Sequence, residues 1–172
     1  MLVGGAVIII GIDPGTLHLG WGVIRAEGTR LLCVAHGVIH TSEKGIPGRL
    51  VEIDDALIGV VEEHKPEQGA IEAIFFAKDA QAASKLGHAR GVAMLRLVRA
   101  GVEIWEYPPA RVKRAVTGRG QADKRQVAMM VKANLGLREV PQADAADALA
   151  VAITHARIHR IESAMRTGRV PR

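Results

Sequence analysis

The sequence predicts an α/β fold: a five-stranded mixed sheet, in which an antiparallel 1-2-3 meander is followed by parallel strands, flanked by helices. Three observations carry that expectation. The first forty residues hold three runs rich in Val and Ile, separated by short Gly-containing turns, the pattern of hairpin-connected strands. From residue 46 onward, helical periodicity alternates with short apolar runs, as in strands joined by helical crossovers. A length of 172 residues with 48% hydrophobic content supplies one well-buried core and leaves no room for several.

The first strand is AVIIIGID, and it ends on Asp13 within Asp-Pro-Gly. That tripeptide is a good turn: Asp caps its own backbone, Pro presets φ and Gly accepts φ > 0. GWGVIRAEG and LLCVAHGVIHT complete the meander. Pro47 then sits near a helix start, and Ile46, Leu50, Ile53, Leu57, Val60 and Val61 keep helical spacing until His64-Lys65-Pro66 closes the segment. GAIEAI reads as a buried fourth strand with Glu72 inside it. A long helix from about Asp79 to Ala100 ends before Gly101; its Gly87, Ala89, Gly91 and Ala93 permit close approach of a neighbouring backbone. VEIWEY is the fifth strand, ended by Pro108 and Pro109. ARVKRAV makes a short helix, TGRGQ a flexible loop, and about Asp123 to Leu135 a further helix. The last helix spans Ala143 to about Arg157. No repeat, low-complexity run or linker divides residues 1–157, and residues 158–172 read as a basic, disordered tail.

The net charge of +5 is unevenly spread. Between Pro108 and Arg138 eight Lys and Arg face one acid, Asp123; from Ala156 onward five Arg face Glu162; the remainder is net acidic. This asymmetry is that of an electrostatic footprint on nucleic acid, although a solvated basic face produces the same composition. No apolar run reaches bilayer length, and the N-terminus lacks the pattern of a signal peptide. The single Cys33 builds neither a disulfide framework nor a Cys-rich zinc site. The expectation is a cytoplasmic protein without a membrane partner.

Four acids stand where packing explains them poorly. Asp13 ends the first strand, Glu72 is flanked by apolar residues, and Asp144 and Asp147 lie three apart at the start of an otherwise apolar helix. Each has an ordinary reading: a turn for Asp13, an edge strand for Glu72, and helix capping and dipole for the pair. At i, i+3 the two aspartates share a face, about 5–6 Å apart at Cβ. Four carboxylates gathered in one pocket would raise each other's pKa, a conflict that divalent cations relieve. Oxygen-only ligands select Mg²⁺, with Mn²⁺ as a substitute, over Zn²⁺. Two such ions about 3.5–4 Å apart can serve phosphodiester hydrolysis.

In order and spacing, IIIGIDPGT, IEAIFFAKDAQAASKLGHARGVA, EYPPARVKRAVTGRGQADKRQV and QADAADALAVAITH resemble the RuvC Holliday junction resolvases, over residues 7 to about 156. The resemblance implies an RNase H-like fold and an endonuclease that resolves four-way junctions in recombination and repair. It further implies a homodimer, Mg²⁺, and co-operation with a junction-migrating helicase complex of the RuvA and RuvB type. Matched residue by residue, the catalytic, metal-binding carboxylates fall on Asp13, Glu72, Asp144 and Asp147. Phe75 matches an aromatic that stacks on bases near the junction centre. Lys113 and Lys124 match basic residues near the scissile phosphate, and Arg114 and Arg119 in the same basic segment are further candidate DNA contacts. LHLGWG and the paired Pro108-Pro109 depart from the family pattern.

Two other readings compete. One is a junction-binding module without catalysis. The other is a kinase-like or actin-like ATPase lobe, since GIDPGT also resembles their first phosphate loop; those proteins close two lobes on a nucleotide, and this chain supplies one. His155 and His159, at i, i+4, could hold a metal only with a third ligand that the sequence does not offer.

Overall fold

The computed structural model describes residues 5–73 and 80–166. Strands β1 (Val7–Asp13), β2 (His18–Glu27) and β3 (Arg30–His40) form the meander, followed by α1 (Ile46–His64), β4 (Gln68–Glu72), α2 (Ala80–Arg99) and β5 (Glu103–Tyr107). The chain continues through α3 (Pro109–Thr117) and α4 (Lys124–Leu135) to α5 (Ala143–Arg166). The sheet order is β3-β2-β1-β4-β5. β1 pairs antiparallel with β2 and parallel with β4, and β4 pairs parallel with β5. The expected mixed sheet is therefore present, with its isoleucine-rich first strand at the centre.

That position explains the isoleucines. Ile9 faces the layer of α3, α4 and α5, while Ile10 and Ile12 face α1 and α2, and all three are fully buried. A strand covered on both faces reads as a continuous apolar run. α1 and α2 are tied together by Arg96, whose Nε and Nη2 donate to the two carboxylate oxygens of Asp54 at 2.7 and 2.5 Å. In α2, Ala89 and Ala93 pack into the core, whereas a Cβ at Gly87 or Gly91 would meet only open space.

α5 is buried all round from Ala148 to Ala156, as a helix at the heart of a domain should be. It lies unusually close to the sheet because glycines receive it. A Cβ at Gly11 would stand 2.0 Å from the carbonyl oxygen of Ala148, and one at Gly20 2.0 Å from that of Asp144. Since Gly20 is the register partner of Asp13, this contact sets the helix start directly over the end of β1. Gly20→Ala is expected to destabilise the fold by about 1–3 kcal/mol through overpacking, read as a lowered denaturation midpoint; an unchanged midpoint would contradict the close approach.

Two expected segments differ. α5 continues to Arg166, nine residues past the expected end, so residues 158–166 of the presumed tail are helical. Ile158 packs against the core and Glu162 lies 3.8 Å from Arg111, contacts that an Arg-rich composition conceals. The TGRGQ segment is a hydrogen-bonded turn: Gly118 takes φ 78° as the C-cap of α3, and the Thr117 hydroxyl accepts from the Arg119 amide at 3.1 Å. Asp123 then opens α4 with a capping box, accepting from the Gln126 amide at 2.8 Å while Gln126 accepts from the Asp123 amide at 3.0 Å. Among the described residues, no helix is long and apolar enough to cross a membrane.

Candidate active site

Asp13 and Glu72 are the last residues of adjacent parallel strands, one step beyond the paired Ile12 and Ile71. Their carboxylates therefore emerge side by side at one edge of the sheet. Asp144 and Asp147 come from the first turn and a half of α5, which the glycine contacts hold against that same edge. Asp13, Glu72 and Asp147 line one cleft, closed opposite by Pro109, Val112 and Lys113 of α3 and by Lys124 and Val127 of α4. Asp144 is near enough to act on Asp13 electrostatically.

The charges show the strain expected of this gathering. The Asp13 carboxyl is pushed up to about 7, first by burial and then by Asp147, Glu72 and Asp144, with Lys124 opposing. Glu72 is raised by burial and Asp147 against the pull of Lys124 and Lys113. The Lys124 ammonium donates to Asp147 Oδ2 at 3.1 Å, and that hydrogen bond holds its pKa above the ordinary lysine value. Among the described residues no three potential ligands already stand in coordinating geometry. The carboxylates surround the cleft, and one of them is occupied by an ammonium. An oxygen-only donor set with an acid driven towards neutrality fits a hard divalent cation, which would supply the missing positive charge.

The other expected contacts divide. Lys113 and Lys124 reach the cleft. Arg114 and Arg119 are exposed on the same α3 to α4 unit and do not line it. Phe75 lies outside the described residues.

A parallel pair of strands ending in Asp and Glu, crossed at its edge by a helix bearing two Asp, defines a nuclease with an RNase H-like fold. The family model described as "Crossover junction endodeoxyribonuclease RuvC" matches residues 9–155. The RuvC of Sorangium cellulosum is 59% identical over 148 residues, covering 86% of this chain and 83% of that protein. The RuvC of Rubrobacter xylanophilus is 49% identical over 164 residues, covering 94% and 92%. The solved T. thermophilus RuvC in complex with Holliday junction substrate superposes with a TM-score of 0.85 at 36% identity, over 91% of this chain and 97% of that one. The chain belongs to the RuvC family of crossover junction endodeoxyribonucleases.

The sequence left several supports unread. Arg90 of α2 donates from Nε to the backbone carbonyl of Glu72 at 3.4 Å and pairs with Glu106, bracing the end of β4. Arg157, at the expected end of the last helix, donates to the Ala115 carbonyl and, at 2.8 Å, to Asn134 Oδ1, joining α3 and α4 to α5. His155 is fully buried: its Nδ1 is 2.8 Å from the Tyr107 hydroxyl and its Nε2 3.0 Å from Gln68 Oε1. The hydroxyl donates to Nδ1 and Nε2–H donates to the amide oxygen, an assignment in which every member of the chain is satisfied. Both ring nitrogens are thus engaged, which leaves His155 with no lone pair for a metal shared with His159.

Burial, helped by His159, pushes the His155 imidazole down to about 4. A depressed folded-state value means that His155 contributes stability above the ordinary histidine pKa, and that this is lost as pH falls from about 6.5 towards 4. His155→Ala is expected to cost about 3 kcal/mol by leaving a cavity and two unpaired polar groups, with a flatter acid limb in the denaturation profile. A substitution without effect on either would remove the network from the account of the core.

Proposed function

We propose that this RuvC-family endonuclease resolves four-way DNA junctions as a homodimer, nicking two strands of like polarity with Mg²⁺ held by Asp13, Glu72, Asp144 and Asp147. The observation that carries this reading is the convergence of four acids from β1, β4 and α5 at one edge, with the Asp13 carboxyl driven to about 7. Bound there, two divalent ions would activate the attacking water and stabilise the leaving oxygen. Asp13, the acid on which the other three act, would hold the ions together with Glu72, Asp144 and Asp147. Lys113 and Lys124 hold the backbone on the side of α3 and α4, where a cation offsets phosphate charge without reading bases. Lys124 also neutralises Asp147, so it is well placed to turn towards a phosphate when metal arrives.

A two-fold junction is naturally met by a C2 dimer with one site per strand. α2 offers the surface: Leu95 and Val98 are 51% and 60% exposed, and Gly87 and Gly91 face open space. A junction-migrating helicase complex is the partner expected from the family resemblance.

The test is a gel assay on a labelled four-way junction and on linear duplex of the same sequence, with Mg²⁺ and with chelator. Paired symmetric nicks that need Mg²⁺ and the junction support the reading. Tight binding without cleavage would favour a non-catalytic clamp.

A further inference from the structure

A second constellation lies on the rim of the same edge, away from the lysines. His18 opens β2 and His40 closes β3, and the two are register partners. Their Nδ1 atoms are 2.9 Å apart, with the rings edge to face at 4.9 Å between centroids. Both side chains are exposed. The turn beneath them is fixed by Thr41, whose hydroxyl donates to the Thr16 carbonyl at 2.7 Å and whose amide donates to that of Leu17 at 3.1 Å.

Strand alternation settles which way the pair faces. Gly20 abuts the Asp144 carbonyl, and Gly11 that of Ala148. His18 is two residues from Gly20, and Asp13 two from Gly11, so both share the α5 side of the sheet. With Asp13 opposite Gly20, strand rise and spacing put the Cα atoms of His18 and His40 about 8 and about 12 Å from that of Asp13.

The pairing dictates the chemistry. Nitrogens this close cannot both carry a proton, so one Nδ1–H donates to the other Nδ1. When both rings are neutral, one Nε2–H points outward. With one added proton, the pair keeps its internal hydrogen bond, carries one positive charge and presents two outward Nε2–H donors. Among the described residues neither Nε2 has a protein partner. On rings joined at Nδ1 the two Nε2–H donors point away from each other, so they reach two separate acceptors, as neighbouring phosphates of one strand present, and not a single phosphate.

Lys44 and Arg49, whose Nε donates to the Glu43 carbonyl at 2.7 Å, follow just after β3, while the meander itself offers no other cation at this rim. Between Asp13 and Ser42 the only Lys or Arg are Arg25 and Arg30, which the register places at the opposite end of β2 and β3. A strand leaving the carboxylate cleft on this side meets no other cation from the meander. We propose that His18 and His40 form a two-pronged clamp on the DNA backbone, each Nε2–H taking one of two phosphates that lie about two to four nucleotides from the one at Asp13 by duplex rise. The proposal rests on the junction-nuclease reading.

Junction binding in chelator at pH 6, below the ordinary histidine value, measured from 50 to 200 mM NaCl with a labelled four-way junction and a linear duplex control, separates the two. The variants are the double His18→Ala, His40→Ala and the single His40→Arg, each with its thermal midpoint recorded. The double alanine variant is expected to bind about fivefold to tenfold more weakly, with the salt slope reduced by about one. His40→Arg, which supplies a permanent cation at the same point, should keep the wild-type affinity and slope. Unchanged affinity and slope in the double variant would overturn the clamp while the junction reading stands. Equal losses in the alanine and arginine variants would overturn it too, leaving a packing role. A wild type without preference for the junction would overturn the reading beneath both.

Discussion

Glu72→Gln and Asp144→Asn are each expected to reduce junction nicking by about a thousandfold or more while leaving junction binding in chelator intact. The two halves have different physical origins. A carboxylate that ligates a catalytic ion supports charge that develops only in the transition state, and such stabilisation is worth several kcal/mol, where each 1.36 kcal/mol is tenfold in rate. Binding depends instead on cations meeting phosphates, and removing a negative charge from the cleft cannot weaken it. The neutral side chains are near-isosteric and half-buried, so the fold should persist. Single-turnover nicking with Mg²⁺, beside mobility-shift binding without it, measures both. If binding and cleavage fell together, the acids would be supporting the fold or the DNA surface and not the chemistry. Asp13→Asn should be at least as severe, because Asp13 is the acid on which the other three act.

The parts of the molecule that were readable from sequence are those whose signal is local. Asp13 could be placed at the end of an isoleucine-rich strand, and Glu72 inside the apolar run AIEAI, because a few consecutive residues carry a strand's signature; the structure ends β4 on Glu72 itself. The Asp144–Asp147 pair could be placed on one helix face for the same reason. What the sequence did not disclose is how these pieces meet. The approach of α5 depends on Gly11 and Gly20, which lie in strands that merely look small there, and becomes evident only when Ala148 and Asp144 are found above them. His18 and His40 are 22 residues apart, and nothing but the β2–β3 register makes them a pair. The Arg-rich end was read as disordered from composition, yet Ile158 and Glu162 give it partners in the core and on α3. Arg90 escaped notice because its partner is a backbone carbonyl, which carries no signature in side-chain chemistry.

The carboxylate cluster also sets the pH dependence of the metal-free protein. Asp13 has a folded-state value of about 7 against 3.8 for the free side chain. The folded protein therefore holds this proton more tightly than the unfolded chain does, so its contribution is fully present below about pH 4 and is lost as pH rises towards and through 7. His155 acts in the opposite sense, but in the range between about 6.5 and 4. Between pH 6 and 8 the Asp13 contribution falls by about 1.4 kcal/mol while the fading His155 penalty returns about 0.8 kcal/mol, so in chelator the protein should lose about 0.5 kcal/mol net, a degree or two of thermal midpoint. Adding Mg²⁺ at pH 8 should restore the midpoint, because an ion that binds only the folded state stabilises it by mass action. Asp13→Asn should reverse the slope in chelator, leaving the His155 gain of about 0.8 kcal/mol from pH 6 to 8, and abolish the Mg²⁺ response, since it removes both the strained proton and the central ligand. A wild-type midpoint that climbs from pH 6 to 8 as much as that of Asp13→Asn would mean that Lys124, already bonded to Asp147, neutralises the cluster unaided. A pH-dependent midpoint that Mg²⁺ leaves unmoved would mean that these acids are strained without being a metal site.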